Sequence, residues 1–216
     1  MLNVVLPYWL VLLRGLFWTV ALSALALGLG AILGVIIAFA RMSGIRLLRY
    51  GAGVYIELFR SVPPLILFFG AFYGLSYATG ISLTPYQAAT LALTLFASPP
   101  MAEVVRSGVM SIPRGQWEAS AAQGMHRLQL VRFVIWPQAF RVMLPAAVGV
   151  YVGTLKDSSL ASVIGFIELT KAGLLIREAT GRSFEPFVSI AVLYFALNYS
   201  ISAGGAWLER RFSFVR

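Results

Sequence analysis

The chain has 216 residues, 59% hydrophobic and 12% charged, with a mean hydropathy of +0.83. That balance excludes an ordinary soluble domain and puts most of the chain in a bilayer, where backbone polar groups must be satisfied internally. The net charge of +9 comes from basic residues gathered between apolar blocks, which marks one face of a membrane rather than a nucleic-acid partner.

Cysteine is absent, so disulfides, thiol nucleophiles and thiolate metal sites are ruled out. No basic n-region or small-residue cleavage site precedes the first apolar block, which is expected to remain as an uncleaved span. It covers residues 9–40, interrupted only by Arg14, and exceeds the roughly 20 residues a crossing needs. Ala26, Gly30, Gly34 and Ala38 recur at every fourth position and predict a small-residue face for close helix approach. Arg41, Arg46 and Arg49 follow without an acid among them. A second span is predicted over 55–78, kinked or interrupted at Pro63-Pro64, because proline removes a donor and clashes with the preceding turn. The third covers 86–110 and is expected to break at Pro99-Pro100. The fourth covers 139–165 and the fifth 187–207, with Phe166 to Pro186 read as a mixed-charge loop. Nothing alternates as barrel strands do. The expected fold is one all-α membrane domain over 1–216 with five transmembrane helices.

Placing the loops after spans one and three and the C-terminal tail on one side gives that side 12 of the 17 basic residues. Arg14, Lys171, Arg177 and Arg182 fall on the other side, and Lys156 on neither. The positive-inside rule then predicts an external N-terminus and a cytoplasmic C-terminus.

The polar stretch between spans three and four, residues 111–138, would then be cytoplasmic. Gln116 to Gln123 contains good helix formers, and Gly124 stands where a helix end favours a positive φ. A second amphipathic run, Arg127 to Trp136, is expected to end at Pro137. Glu118-Ala119-Ser120, Gly124 and Val134-x-Trp136-Pro137 resemble the Glu-Ala-Ala loop of bacterial ABC-importer permeases. The family pattern is Glu-Ala-Ala, three residues, Gly, nine residues, then Ile-x-Leu-Pro, and the spacing holds throughout. Ser120, Val134 and Trp136 depart from it, Trp136 by bulk. Arg106-Ser107-Gly108, Ser111 to Gln116, Phe59-Arg60-Ser61-Val62-Pro63 and Leu155 to Leu160 resemble the branch that imports polar amino acids.

The resemblance implies a type I ABC-importer permease core that dimerises with itself or a related permease in the bacterial inner membrane. It also implies a cytoplasmic pair of ATPase subunits holding ATP and Mg, and an extracytoplasmic amino-acid-binding protein. The helix around Glu118, Ala119, Ser120, Ala121 and Gly124, with Pro137 closing the motif, is implied to couple the permease to the ATPase.

The residues agree that any engine lies elsewhere. A phosphate-cradling loop needs Gly-x4-Gly-Lys-Ser/Thr, and neither Lys156 nor Lys171 follows a glycine. The single histidine, His126, reads as a surface residue beside Arg127, and no carboxylates stand at metal spacing, so no catalytic residue, metal site or cofactor is expected in this chain.

Ionisable groups within spans are costly and usually face protein or a water path. Glu57 and Arg60, like Glu103 and Arg106, are three apart and can pair on one helix face. They either anchor the span ends or, with Ser61, line a path. Lys156 and Asp157 project about 100° apart, so at least one needs another partner. With Ser158 they suit a zwitterionic amino acid or form an inter-helix bridge. The alternative function is an ion-coupled secondary transporter or channel for small polar solutes, which leaves the Glu118 loop without a role.

Overall fold

In the computed structural model, which describes residues 5–212, every regular element is helical. After a 3-10 turn at Leu6–Tyr8, α1 covers Trp9–Met42, α2 Arg46–Ser61 and α3 Pro64–Thr79, the last with a π-helical stretch at Gly70–Gly74. Next come α4 at Pro85–Met110 and α5 at Arg114–Ala122. α6 runs continuously over Arg127–Ile164, with a π-turn at Val131–Ile135 and a 3-10 tail at Ser158–Ile164. α7 covers Leu169–Thr180 and α8 Phe184–Phe212.

α1, α4, α6 and α8 are each long and apolar enough to cross a membrane, and α2 with α3 forms a fifth, broken span bent by 103°. The break lies at Pro63-Pro64. Val62 and Pro63 each precede a proline, where ring sterics disfavour the helical region, and both are extended, with ψ of 127° and 135°.

Three expectations need correction. α4 passes through Pro99-Pro100 unbroken. Pro99 cannot donate to the carbonyl of Leu95, but the Ser98 hydroxyl donates to it at 3.2 Å. The Tyr55 hydroxyl in turn pairs with Ser98 Oγ at 2.8 Å. Pro137 does not end its helix either. The upstream π-turn shifts the bonding register, Trp136 N–H donating to Val131 O five residues back, and Pro137 falls in the first turn of the resumed α-helix, where a missing N–H costs least. Finally, the mixed-charge loop contains α7, whose Leu169, Ala172, Gly173 and Ile176 are buried at helical spacing.

The core is built around α1 and α4, the most extensive helix pair. Ala26, Gly30, Gly34 and Ala38 are all buried, as their spacing predicts. A Cβ on Gly34 would lie 2.9 Å from Met101 Cβ and 3.0 Å from Ser98 O, so only glycine permits this approach. Buried side chains form three tiers along the bundle. One joins Ile37, Ile56, Val105, Ile112, Leu130 and Ile135. A middle tier joins Leu22, Phe68, Leu93 and Ile164, and a third joins Leu12, Leu169, Ile176 and Ile190. α5 is therefore seated on the first tier and α7 in the third, at opposite ends.

Candidate functional site

α5 begins where Pro113, with ψ of 140°, turns the chain from the end of α4. It ends in a Schellman stop: Gly124, at φ +79°, donates to Ala121 O at 3.0 Å and Met125 N–H donates to Ser120 O at 3.3 Å. The positive φ anticipated at Gly124 is what lets the chain reverse here. Ser120 is buried and returns its hydroxyl to Gln116 O at 2.7 Å, so the family's alanine position faces inward and tolerates serine. Glu118, Ala119 and Ala121 point outward. Trp117 and Met125 lean on the first core tier and hold the helix down.

The next helix is capped by His126, whose Nδ1 accepts from Gln129 N–H at 3.5 Å while Gln129 Oε1 accepts from His126 N–H at 3.2 Å. This reciprocal box gives the histidine a structural role. Gln138 ties α6 back to α5 through Gln116 Oε1 at 3.3 Å. Trp136 finds room by stacking on Phe39 of α1, with centroids 6.1 Å apart. Between α5 and α6 lies a groove of 500 Å³ bordered by Trp117, Glu118, Ala121, Met125 and Arg127, among others.

The residues named for a substrate path separate into two groups. Glu57 and Ser61 on α2 line an open cleft of 1560 Å³ together with Arg41 and Arg106, while Arg60 is exposed beside it. Glu57 and Arg60 are both exposed and form no ion pair with each other. Glu103 and Arg106 do pair, at 2.7 Å, and Arg41 approaches the other Glu103 oxygen at 3.5 Å, joining α1 to α4. Lys156, Asp157 and Ser158 lie at the opposite end of α6, where the α-helix tightens into its 3-10 tail. Ser158 is buried and donates to Leu155 O at 2.7 Å. Lys156 is exposed and Asp157 half-buried. The Asp157 carboxylate has no hydrogen bond or ion pair among the described residues. Among the described residues, no hydrogen bond or ion pair links this group to Glu57, Arg60 or Ser61.

One constellation was missed in the sequence. Glu168 is fully buried and caps α7, accepting from Thr170 N–H and Lys171 N–H at 2.8 Å each. The Tyr194 hydroxyl donates to it at 2.9 Å, and Thr19 Oγ1 accepts from Leu169 N–H at 3.0 Å. Burial pushes the Glu168 carboxyl above its ordinary value, outweighing the hydrogen bonds that pull it down. The signal was the helical spacing Leu169, Ala172, Gly173, Ile176 behind an acidic residue. Glutamate is not among the preferred N-caps, which hid it.

Residues 30–214 match the family described as "binding-protein-dependent transport system inner membrane component". The chain belongs to that family. This permease is 34% identical over 208 residues to the L-cystine transport system permease protein of Bacillus subtilis, covering 94% of this chain and 87% of that one. It is 33% identical to the glutamine transport system permease protein of Escherichia coli, covering 93% and 92%. A crystal structure of an amino acid ABC transporter with histidines superposes with a TM-score of 0.88 at 34% identity, over 95% of the permease and 96% of that chain. An inward-facing MetNI methionine ABC transporter gives 0.84 at 25% identity, over 96% and 99%. The fold is that of the type I importer permeases, and the permease is a membrane component of an ABC transport system.

Proposed function

We propose that this permease carries a polar amino acid inward and that α5 is its coupling helix to a cytoplasmic ATPase pair. The observation that carries the reading is the construction of α5. It is a short helix stopped at both ends, seated on the core by Trp117 and Ser120, with Glu118, Ala119 and Ala121 left outward. Two alanines let a partner surface approach closely, and Glu118 offers a charge to a basic partner. ATP and Mg belong to that partner. An extracytoplasmic binding protein delivers the amino acid, and a second permease, identical or related, completes the pathway. The excess of arginine at the α5 end of the bundle supports a cytoplasmic α5 and C-terminus with an external N-terminus.

Amino-acid substrates are supported by the cystine and glutamine permeases that the chain resembles. Asp157 is the side chain best placed to meet the substrate ammonium, being half-buried and without a hydrogen bond or ion pair among the described residues. Lys156 and Ser158 stand on either side of it in the chain. ATP-driven closure would draw the two coupling helices together and tilt the spans, so transport follows from the partner's unequal affinity for two states.

Co-purification with a C-terminal tag tests this. An ABC ATPase should accompany the wild-type chain and be lost from Gly124→Pro and Glu118→Lys, with the spans still folded. Recovery of the chain alone, with transport in ATP-free vesicles under an ion gradient, would replace the reading by an ion-coupled transporter. Asp157→Asn should raise KM by about tenfold, the scale of one charged hydrogen bond. An unchanged KM removes Asp157 from the substrate path.

A further inference from the structure

The cleft between α1, α2, α4 and α5 has a composition that coupling does not explain. Five arginines border it, namely Arg41, Arg46, Arg49, Arg106 and Arg114, against one acid, Glu57. Arg41 and Arg106 share Glu103. Arg46, Arg49 and Arg114 have no ion pair among the described residues. Arg46 and Arg49 open α2, and that first turn holds no acid. A helix N-terminus carries partial positive charge and favours anions, so two arginines there add to a positive potential that attracts an anion.

The same cleft is apolar on its α2 side. Tyr50, Val54 and Leu58 border it and are largely exposed, with Trp117 across from them. α2 leaves the end of α1 at Met42 and stops at the Val62 break, and the cleft also touches the end of α4 at Met110. It therefore sits where two spans end. A ligand that is anionic at its head and apolar behind fits this surface; a purely acidic protein face would leave the apolar wall unmatched.

We infer that the cleft binds an anionic phospholipid of the inner leaflet, its phosphate held by Arg46, Arg49 and Arg114 and its acyl chain lying along α2. Guanidinium groups suit phosphate oxygens through paired hydrogen bonds, and clustered arginines beside a span attract anionic headgroups. The leaflet assignment rests on the orientation proposed above; the binding chemistry does not.

The test uses the full chain, alone and in its assembled transporter, equilibrated in mixed micelles of phosphatidylglycerol and phosphatidylcholine and analysed by native mass spectrometry. Wild type should retain phosphatidylglycerol about tenfold over phosphatidylcholine in both forms, and Arg46→Gln/Arg49→Gln should bring the two lipids near parity. Glycerol phosphate at matched concentration should not displace the lipid; displacement would assign the cleft to free phosphate compounds and overturn the proposal. An unchanged lipid ratio in the variant, with unfolding temperature and assembly intact, would also overturn it. So would retention by the isolated chain that disappears on assembly, which gives the cleft to a neighbouring subunit. Failure of the importer reading would appear separately, as a chain that keeps its lipid yet recruits no ATPase.

Discussion

Two double prolines give opposite results in this permease. Pro63-Pro64 splits a span into α2 and α3 at 103°, whereas Pro99-Pro100 lies within an unbroken α4. The dipeptide is the same, so the difference must come from its neighbours: Val62 precedes one pair and Ser98 the other, and the two sit in different surroundings. Pro63 is exposed, and nothing opposes the extended conformation that proline imposes on the residue before it. Pro99 is buried on the turn that α1 approaches through Gly30 and Gly34. The carbonyl it orphans is taken by Ser98, which is held by Tyr55. Proline thus fixes where a helix is weak, and tertiary contact determines whether it yields.

The largest effect should come from removing that contact. Gly34→Val drives a side chain into Ser98 O and Met101 and should cost about 3 kcal/mol by overpacking. Thermal unfolding of the purified permease reads this directly; wild-type stability would mean that α1 does not hold the prolines in the helix. Ser98→Ala should cost about 2 kcal/mol, since it strands the Leu95 carbonyl and the Tyr55 hydroxyl together. A double-mutant cycle with Tyr55→Phe should show coupling, and strictly additive losses would disconnect the two groups.

The pair at the α2–α3 break should behave differently. Pro63→Ala/Pro64→Ala should change stability by about 1 kcal/mol or less, because few contacts depend on it. Spin labels at Gly53 and Tyr77 should move apart as α2 and α3 straighten. An unchanged separation would show that neighbouring helices, rather than proline, set the 103° angle.

Much of this was legible from residue type and spacing. Apolar blocks located the crossings, a four-residue repeat located the α1 face, and Gly124 announced a helix end that the backbone confirms at φ +79°. What the sequence concealed depends on distant partners. Nothing near Pro99 reveals that Tyr55, 43 positions away from Ser98, completes the repair. Pro137 looked like a terminator because a π-turn leaves no compositional mark. Glu57 and Glu103 have the same spacing to an arginine, yet only Glu103 pairs, because Arg41 from α1 is there to fix it. Local rules read elements well and read bonds between elements poorly.

The polar knot at the far end of α1 extends the comparison to a second mode of attachment. α1 meets α4 through small apolar residues; it meets α7 in the same way through Gly15 against Ala172, and in addition through Thr19, within a network centred on Glu168 and Tyr194. The apolar contacts cannot titrate and the polar network can. Burial raises the Glu168 carboxyl above the ordinary 4.5, so the folded protein holds that proton more tightly than the unfolded chain. Its stabilising contribution is complete below the unfolded value and fades as pH climbs through the native one. Wild type should therefore lose stability from about pH 4.5 upward more steeply than Glu168→Gln, which keeps the shape and cannot ionise. The effect is the smallest of the set, because the hydrogen bonds from Thr170, Lys171 and Tyr194 compensate part of the burial penalty once the carboxylate forms. Parallel pH profiles for the two proteins would mean that Glu168 is as well solvated in the fold as out of it, and that α1 is secured to α7 by shape alone.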